Sequence, residues 1–167
     1  MRLRGLEDDL FMDFEPLVRE MNIGVDVLDV EFIKENKRRI LRVTIYSPDG
    51  ITLDHCARVQ KVLSERLDVL DPIPDAYDLE VSSPGLERTL RRDKEFCVFK
   101  GSLCQANLFA PVDGKRTFQG TLAGTEIGQD GEPVIVLKTR QGLVTLPRKN
   151  VARVRLVYDP KPRKGEE

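Results

Sequence analysis

The sequence predicts an α+β protein in two parts, a helix-strand-strand-helix-strand unit followed by a small all-β unit. Two observations favour this division. Up to about residue 83, apolar residues recur first at helical and then at alternating spacing, whereas beyond residue 94 the period stays at two. The charge also changes sign, since residues 1–81 carry 11 Lys and Arg against 18 Asp and Glu, and residues 82–167 carry 16 against 10.

The first unit begins with a predicted amphipathic helix. Its apolar residues recur every three or four positions: Leu6, Leu10, Phe11, Phe14, Leu17, Val18 and Met21. Pro16 stands inside this helix and is expected to kink it or to divide it in two. Asn22 and Gly24 follow the last periodic residue and supply the expected stop.

Two strands joined as a hairpin are predicted next. Residues 25–33 alternate apolar and acidic side chains, with a slip of phase between Val27 and Leu28 that a bulge would absorb. After a turn at residues 35–37, residues 41–46 form the returning strand. The carboxylates of the first strand are expected on its outer, solvated face: Asp26, Asp29 and Glu31.

A second helix and a third strand complete the unit. Thr52 or Asp54 can cap a helix that ends near Asp68 and bears its apolar residues on one side: Cys56, Val59, Leu63 and Leu67. Residues 77–82 then alternate between apolar and polar side chains and predict the strand. Pro84 lacks a ladder donor and Gly85 permits a positive φ, so this strand should end at a corner.

Short strands at regular intervals are predicted in the second part of the chain, near residues 96–99, 103–109, 117–126, 134–139, 143–146 and 151–157. Such spacing favours a small barrel, and a tight turn at residues 148–150 is typical of SH3-like and Sm-like barrels. We therefore expect four segments: an N-terminal α/β domain, KH-like in outline, at 1–83, a linker at 84–94, a β-barrel domain at 95–158, and a disordered tail at 159–167.

Composition argues against several classes of protein. No segment has the length and apolarity of a signal peptide or of a membrane span, which favours a cytoplasmic protein without a membrane partner. The three cysteines, Cys56, Cys97 and Cys104, include no C-x-x-C pair, so neither a disulfide framework nor a zinc site is indicated. We expect them to be buried, reduced thiols, and we expect no metal and no cofactor.

Catalytic residues are not indicated either. His55 is the only histidine, and its neighbours Asp54 and Cys56 would point in other directions from a helix. The glycines of a nucleophile elbow are missing around Ser82 and Ser83, and the chain lacks a phosphate-binding glycine loop. The sequence therefore predicts a binding protein rather than an enzyme, with no small-molecule substrate.

Basic residues near the end of the second part suggest an RNA partner. In the last strand Ala152, Val154 and Leu156 should face the core, which turns Arg153 and Arg155 outward on one side, about 6.6 Å apart by strand rise. The candidate RNA-facing residues are Arg91, Arg92, Arg148, Lys149, Arg153 and Arg155. Because aromatic residues that could stack on bases are few, contacts should be mainly to the RNA backbone and shape.

The stretch from Gly50 to Leu90, GITLDHCARVQKVLSERLDVLDPIPDAYDLEVSSPGLERTL, resembles the signature segment of the bacterial ribosome maturation factor RimP family. The match covers the start and end of the second helix, a proline-containing loop and the pattern Y-x-LEVSSPG-L-x-R-x-L. Thr89 departs from it, since the family commonly has proline there. The family motif at the predicted domain corner comprises Leu79, Glu80, Val81, Ser82, Ser83, Pro84, Gly85, Leu86 and Arg88.

The resemblance implies a non-enzymatic assembly factor that binds the free small (30S) ribosomal subunit through 16S ribosomal RNA and ribosomal protein. It also implies an α/β domain followed by a small Sm-like or SH3-like barrel. The charge split suggests that the acidic first half faces a basic ribosomal protein and the basic second half faces RNA. Ser82 and Ser83 are expected to cap backbone groups at the corner or to donate to phosphate. Nothing in the sequence requires more than a monomer.

Three other functions remain open at this point, of which the weakest is an enzyme whose nucleophile would have to be activated without a nearby histidine. The element order is compatible with a general RNA-binding module of the KH type, although the G-x-x-G loop that clamps nucleotides there is absent. A protein adaptor that does not contact RNA is the second alternative, and its binding should depend less on salt.

Overall fold

The computed structural model describes residues 4–158, which divide into two units between Pro84 and Gly85. The tail predicted at 159–167 lies outside the described residues. The first unit contains α1 (Arg4–Arg19), β1 (Asp26–Glu35), β2 (Arg38–Tyr46), α2 (Leu53–Leu70) and β3 (Asp78–Ser82). This is the predicted order of elements, and the α+β class is confirmed.

The first unit is a three-stranded sheet with both helices on one face. The strand order is β1-β2-β3, with β2 antiparallel to β1 and parallel to β3. Asn36 and Lys37 join β1 to β2 with φ values of 51° and 65°, as a two-residue type I′ hairpin requires. The core is formed by apolar residues from every element: Leu10, Phe14, Val18, Val27, Val30, Leu41, Val43, Ile45, Val59, Leu63, Leu67 and Val81.

The first helix is continuous, so the predicted division at Pro16 is wrong. Phe14 and Val18 on either side of the proline are both fully buried, and this burial on one face holds the two halves of the helix together. Asp13 ties α1 to α2 through a bidentate pair with Arg66, with N–O distances of 2.9 and 2.7 Å. The hydrogen bond and the charge of Asp13 raise the pKa of Arg66.

The bulge predicted in β1 is present, with the register shift falling between Val27 and Asp29. A bulge places two residues opposite one, so side chains stop alternating between the faces there. Asp29 is consequently fully buried, and its Oδ1 accepts a hydrogen bond from the Val30 amide at 2.9 Å. The expectation that this carboxylate lies on a solvated face is wrong.

The second helix is capped at both ends. Thr52 Oγ1 accepts from the His55 amide, and His55 Nδ1 accepts from the Thr52 amide, both at 3.1 Å. This is a capping box in which histidine takes the place of the usual glutamate or glutamine. At the other end Asp71, with φ 44°, donates its amide to the Leu67 carbonyl at 2.8 Å. His55 therefore has a structural role at the start of α2, as part of its capping box.

The second unit contains a short helix within a mostly β structure. Its elements are β4 (Thr89–Leu90), α3 (Asp93–Val98), β5 (Leu103–Val112), β6 (Lys115–Ile127), β7 (Pro133–Thr139), β8 (Gly142–Pro147), a 3-10 turn (Arg148–Asn150) and β9 (Val151–Leu156). Five of the six predicted strands and the tight turn are confirmed.

The strand predicted at 96–99 is instead part of α3, so the second unit is not all-β. Four residues are too few to distinguish alternation from one helical turn. The linker predicted at 84–94 is also partly structured, because it contains β4 and the start of α3. Thr89, at the position where the RimP family commonly has proline, is paired with Arg155 of β9.

The second unit is built on one antiparallel sheet with the strand order β4-β9-β5-β6-β7-β8. Within residues 4–158 no pairing joins β4 to β8, so the described strands do not form the closed barrel that the sequence predicts. A separate core fills this unit: Leu90, Phe96, Cys104, Ala106, Leu108, Leu122, Ile135, Leu137, Leu146, Val154 and Leu156.

The three cysteines differ in environment. Cys104 is fully buried, and burial raises the pKa of its thiol to about 11. Cys56 is half-buried, and burial raises its pKa as well. Cys97 is exposed on α3, so the expectation of a buried thiol is wrong there.

Removing the N-cap of α2 should destabilise the first unit. We expect Thr52→Ala to lower the free energy of unfolding by about 1 kcal/mol, because the His55 amide loses its acceptor. His55→Gln should cost less, since glutamine can also accept from the Thr52 amide. Urea unfolding followed by circular dichroism measures both changes. Equal losses in the two variants would contradict the capping role.

The cysteines should react with iodoacetamide in a fixed order. Cys97 is exposed, whereas Cys104 is buried and its raised pKa keeps the thiol protonated at neutral pH. Mass spectrometry of the folded chain should therefore find alkyl groups on Cys97 first and on Cys104 only after denaturation. Modification of both at similar rates in the folded state would show that the second core opens readily.

Candidate functional site

The family motif begins as the edge strand β3 of the first unit. Leu79 and Val81 pack into the core next to Leu41 and Val43 of β2. Glu80 points to the other face, where its carboxylate lies 2.7 Å from Nε of Arg42. This hydrogen bond is the largest cause that raises the pKa of Arg42, and Glu35 adds to it at 3.3 Å.

The chain turns where the sequence predicts a corner. β3 ends at Ser82, and Gly85 has a φ of 77°. Leu86, directly after the corner, is 68% exposed. The hydroxyls of Ser82 and Ser83 make no hydrogen bond to another described residue, so the expected caps are not formed.

A buried carboxylate organises the chain beyond the corner. Glu95 is fully buried in the first turn of α3, and its Oε2 accepts from the amides of Arg91 and Arg92, both at 2.8 Å. Its Oε1 accepts from Nε of Arg88, whose side chain is only 10% exposed. The Arg88 carbonyl in turn accepts from the Leu156 amide of β9 at 2.7 Å. Arg88 therefore has a structural role, because it links the buried Glu95 to β9.

Sequence reasoning missed Glu95, although a signal was present. That signal is only half of a capping box: Glu95 is the glutamate at the third helical position, but the N-cap is Arg92 instead of the usual serine or threonine. The sequence does not predict that this carboxylate is buried, because α3 is too short for its apolar residues to show which side faces the core.

Arg148 is held in place by its neighbours. Its guanidinium carbon lies 4.3 Å from the centroid of the buried Phe96 ring, and Nη1 lies 3.3 Å from Oδ1 of Asp93. Such a cation–π contact fixes the plane of the guanidinium. Lys149 is exposed in the same 3-10 turn. The turn is fastened to β5 by Asn150, whose side chain bonds both backbone groups of Ala110 at 2.9 and 3.0 Å.

Arg153 and Arg155 are exposed on β9, while Val154 and Leu156 are buried, as the alternation predicts. Ala152 was expected to face the core and is exposed instead. The reason is a shift in register: Arg153 pairs with Asn107 and Val151 pairs with Leu108, so Ala152 is the extra residue of a bulge.

The two arginines belong to a larger surface, which we call the polar sheet face: Gln105 and Asn107 of β5, Thr117 and Gln119 of β6, and Arg153 and Arg155 of β9. The register pairs Arg155 with Gln105 and Gln105 with Gln119, and it pairs Arg153 with Asn107 and Asn107 with Thr117. Oδ1 of Asn107 lies 3.3 Å from both Nε2 of Gln105 and Oγ1 of Thr117. Two polar rows therefore cross three strands.

Further candidate residues lie beside this surface. Leu90 pairs with Val154, so Arg91 and Arg153 lie next to each other just beyond the last paired position of β4. Arg92 follows as the N-cap of α3. Arg155 also has Glu87 nearby, with 3.8 Å between Nη1 and Oε2. The structure thus brings Arg91, Arg153 and Arg155 together and gives Arg148 intramolecular partners.

Metal-binding clusters and membrane-spanning helices are both absent from the described residues. In residues 4–158 no three His, Cys, Asp or Glu side chains are grouped so that they could hold a metal ion. No helix in this part of the chain is long and apolar enough to cross a bilayer.

Loss of the Glu95 carboxylate should destabilise the second unit strongly. Glu95→Ala leaves the nearly buried Arg88 guanidinium and two amides without their acceptor, and we expect a loss of about 3–5 kcal/mol. Glu95→Gln retains one acceptor and should lose less. Asp93→Ala is the matched control, because that carboxylate is 95% exposed and should matter little. Denaturant unfolding measures all three, and equal effects of Glu95→Ala and Asp93→Ala would contradict this role.

The comparison with known families agrees with this architecture. Residues 14–87 match the family model of the RimP N-terminal domain. The matched range includes the last six residues of α1, the whole first sheet, α2, and the corner motif as far as Glu87. The resemblance recognised in the sequence is therefore confirmed. Residues 14–87 form a RimP N-terminal domain, and this match supports the RimP family, whose general role is in ribosome maturation.

Proposed function

We propose that this protein is a non-enzymatic, monomeric factor of the cytoplasm that binds the free small (30S) ribosomal subunit and assists its assembly. The observation that carries the proposal is the RimP N-terminal domain at residues 14–87. The polar sheet face of the second unit supplies a surface suited to 16S ribosomal RNA. The acidic first unit is suited to a basic ribosomal protein.

The chemistry of the polar sheet face favours the RNA backbone. Arg153 and Arg155 are exposed two residues apart on one strand, about 6.6 Å by strand rise, so both can reach one phosphate backbone. The amides of Gln105 and Asn107 and the hydroxyl of Thr117 can donate to phosphates or exchange hydrogen bonds with ribose 2′-hydroxyls. None of the six side chains is aromatic, so contacts to the RNA backbone should outweigh stacking on bases, for which only the two guanidinium planes are available.

The basic residues divide into two groups by their surroundings. The side chains of Arg88 and Arg148 are only 10% and 28% exposed and pair with Glu95 and Asp93, and we assign them to holding the surface in shape. We assign the RNA contacts to the exposed residues Arg91, Lys149, Arg153 and Arg155, and to the half-buried Arg92. Arg148 adds positive potential from a fixed position.

We also propose relationships for the two folds. The order α-β-β-α-β and the mixed three-stranded sheet support a KH-like outline for the first unit. The antiparallel sheet and the 3-10 turn before the last strand support a relationship of the second unit to Sm-like and SH3-like barrels, here without closure among the described strands.

Charge reversal on the polar sheet face should weaken binding to the small subunit. We expect the double variant Arg153→Glu, Arg155→Glu to lose at least about tenfold in affinity, or about 1.4 kcal/mol. The slope of log affinity against log salt should also become shallower, since each phosphate contact contributes roughly 0.7–0.9. Co-sedimentation with isolated small subunits across a salt series measures both.

The control for this experiment is Arg58→Glu, Lys61→Glu, which makes the same charge change on exposed positions of α2. Unchanged binding by the Arg153 and Arg155 variant would sink the assignment of RNA to this face. Equal retention of the unaltered protein on small subunits, large subunits and joined ribosomes would favour the alternative of a general RNA-binding module.

A further inference from the structure

The two edges of the first sheet are protected to different degrees. At β1, Oε2 of the buried Glu7 accepts from the outward Phe32 amide at 2.7 Å, and the bulge with its inward Asp29 interrupts the edge. At β3, within the described part of the chain, the one side-chain hydrogen bond to the edge is long, 3.5 Å from Nε2 of Gln60 to the Leu79 carbonyl.

The open edge presents a defined set of backbone groups. Along a strand, the amide and carbonyl of one residue point to the same side, and the side alternates from residue to residue. The Leu79 carbonyl points toward Gln60 and away from β2. The outward donors and acceptors of β3 are therefore the amides and carbonyls of Leu79 and Val81. A short added strand can pair with these four groups.

Space for such a strand exists on both sides of this edge. A groove of about 700 Å³ lies on the α2 side and extends from Gln60 to the loop before β3. A second groove, of about 370 Å³, runs from Gln60 across β3 to Arg42 and Glu80. Both grooves include Asp78 and Leu79, so they meet along β3 itself.

The larger groove is negatively charged. Four aspartates line it: Asp68, Asp71, Asp75 and Asp78. Asp75 and Asp78 pair with Arg39 and Arg38 of β2, whereas Asp68 and Asp71 form no ion pair with a described residue. Burial, and then the charges of Asp68 and Asp71, raise the pKa of Tyr77 at the groove wall. The field in the groove thus opposes a further negative charge.

We propose that the outer edge of β3 and this acidic groove bind an extended, lysine- and arginine-rich segment of a ribosomal protein as an added strand. Backbone hydrogen bonds to Leu79 and Val81 supply affinity, and the aspartates select positive side chains. An RNA strand is disfavoured, because its phosphates would meet Asp68 and Asp71. The ribosomal origin of the segment rests on the proposed function, whereas the chemistry of the site does not.

The first experiment uses a short synthetic peptide that alternates lysine and valine, with a peptide that alternates glutamate and valine as its match. Fluorescence anisotropy with the full chain should show at least tenfold tighter binding of the lysine peptide. Hydrogen exchange should slow at the amides of Leu79 and Val81. Equal affinity for the two peptides, or protection only at other amides, would overturn the proposal.

Matched variants test the backbone and the charge separately. Leu79→Pro removes an outward amide that β2 does not use, and Leu79→Ala removes the same side chain but keeps the amide. We expect Leu79→Pro to reduce the affinity for the lysine peptide at least fivefold more than Leu79→Ala does. The double variant Asp68→Asn, Asp71→Asn should also reduce this affinity. The control is the double variant Glu20→Gln, Glu65→Gln, which makes the same change of charge outside the groove and should leave the affinity unchanged.

The same variants with isolated small subunits separate this inference from the proposed function. If the lysine peptide binds at β3 but the unaltered protein ignores small subunits, the proposed function fails and the ribosomal origin of the segment fails with it. If small subunits retain every edge variant as well as the unaltered protein, that origin is again overturned, and the proposed function stands on the second unit.

Discussion

The buried carboxylate of Glu95 is the interaction on which the candidate RNA surface depends. It binds the Arg88 guanidinium and the amides of Arg91 and Arg92, and Arg88 in turn bonds β9 through its carbonyl. A buried charge is costly unless a guanidinium and further donors surround it, as they do here. Because these residues are fixed, β4 pairs with β9 and Arg91 lies beside Arg153. One carboxylate thus positions basic residues that belong to different secondary-structure elements.

Arginine has two distinct uses in this protein. In the first unit, Arg38 and Arg42 of β2 pair with Asp78 and Glu80 across the parallel ladder, so part of the basic charge is matched within the sheet. In the second unit, Arg153 and Arg155 stand on an exposed face among amides and hydroxyls, with the Glu87 carboxylate 3.8 Å from Arg155. The charge split along the chain therefore becomes a difference between whole surfaces, one acidic and one basic.

The two edges of the first sheet differ in how they are protected against further pairing. Glu7 and the bulge at Asp29 protect β1 against pairing with another strand. β3, which carries the family motif, lies open beside grooves that contain carboxylates. The motif strand packs Leu79 and Val81 into the core and also exposes its outer backbone groups, with which we propose that a further strand pairs.

Sequence alone determined the element order of the first unit, the hairpin turn at Asn36 and Lys37, and the outward arginines of β9, because these follow from local periodicity and turn chemistry. It also carried the RimP motif. Only the tertiary structure decided the burial of Asp29 and Glu95, the short helix at Phe96, the exposure of Ala152 and the unclosed sheet. These depend on register shifts and on partners distant in sequence, which a local pattern of apolar and polar residues does not contain.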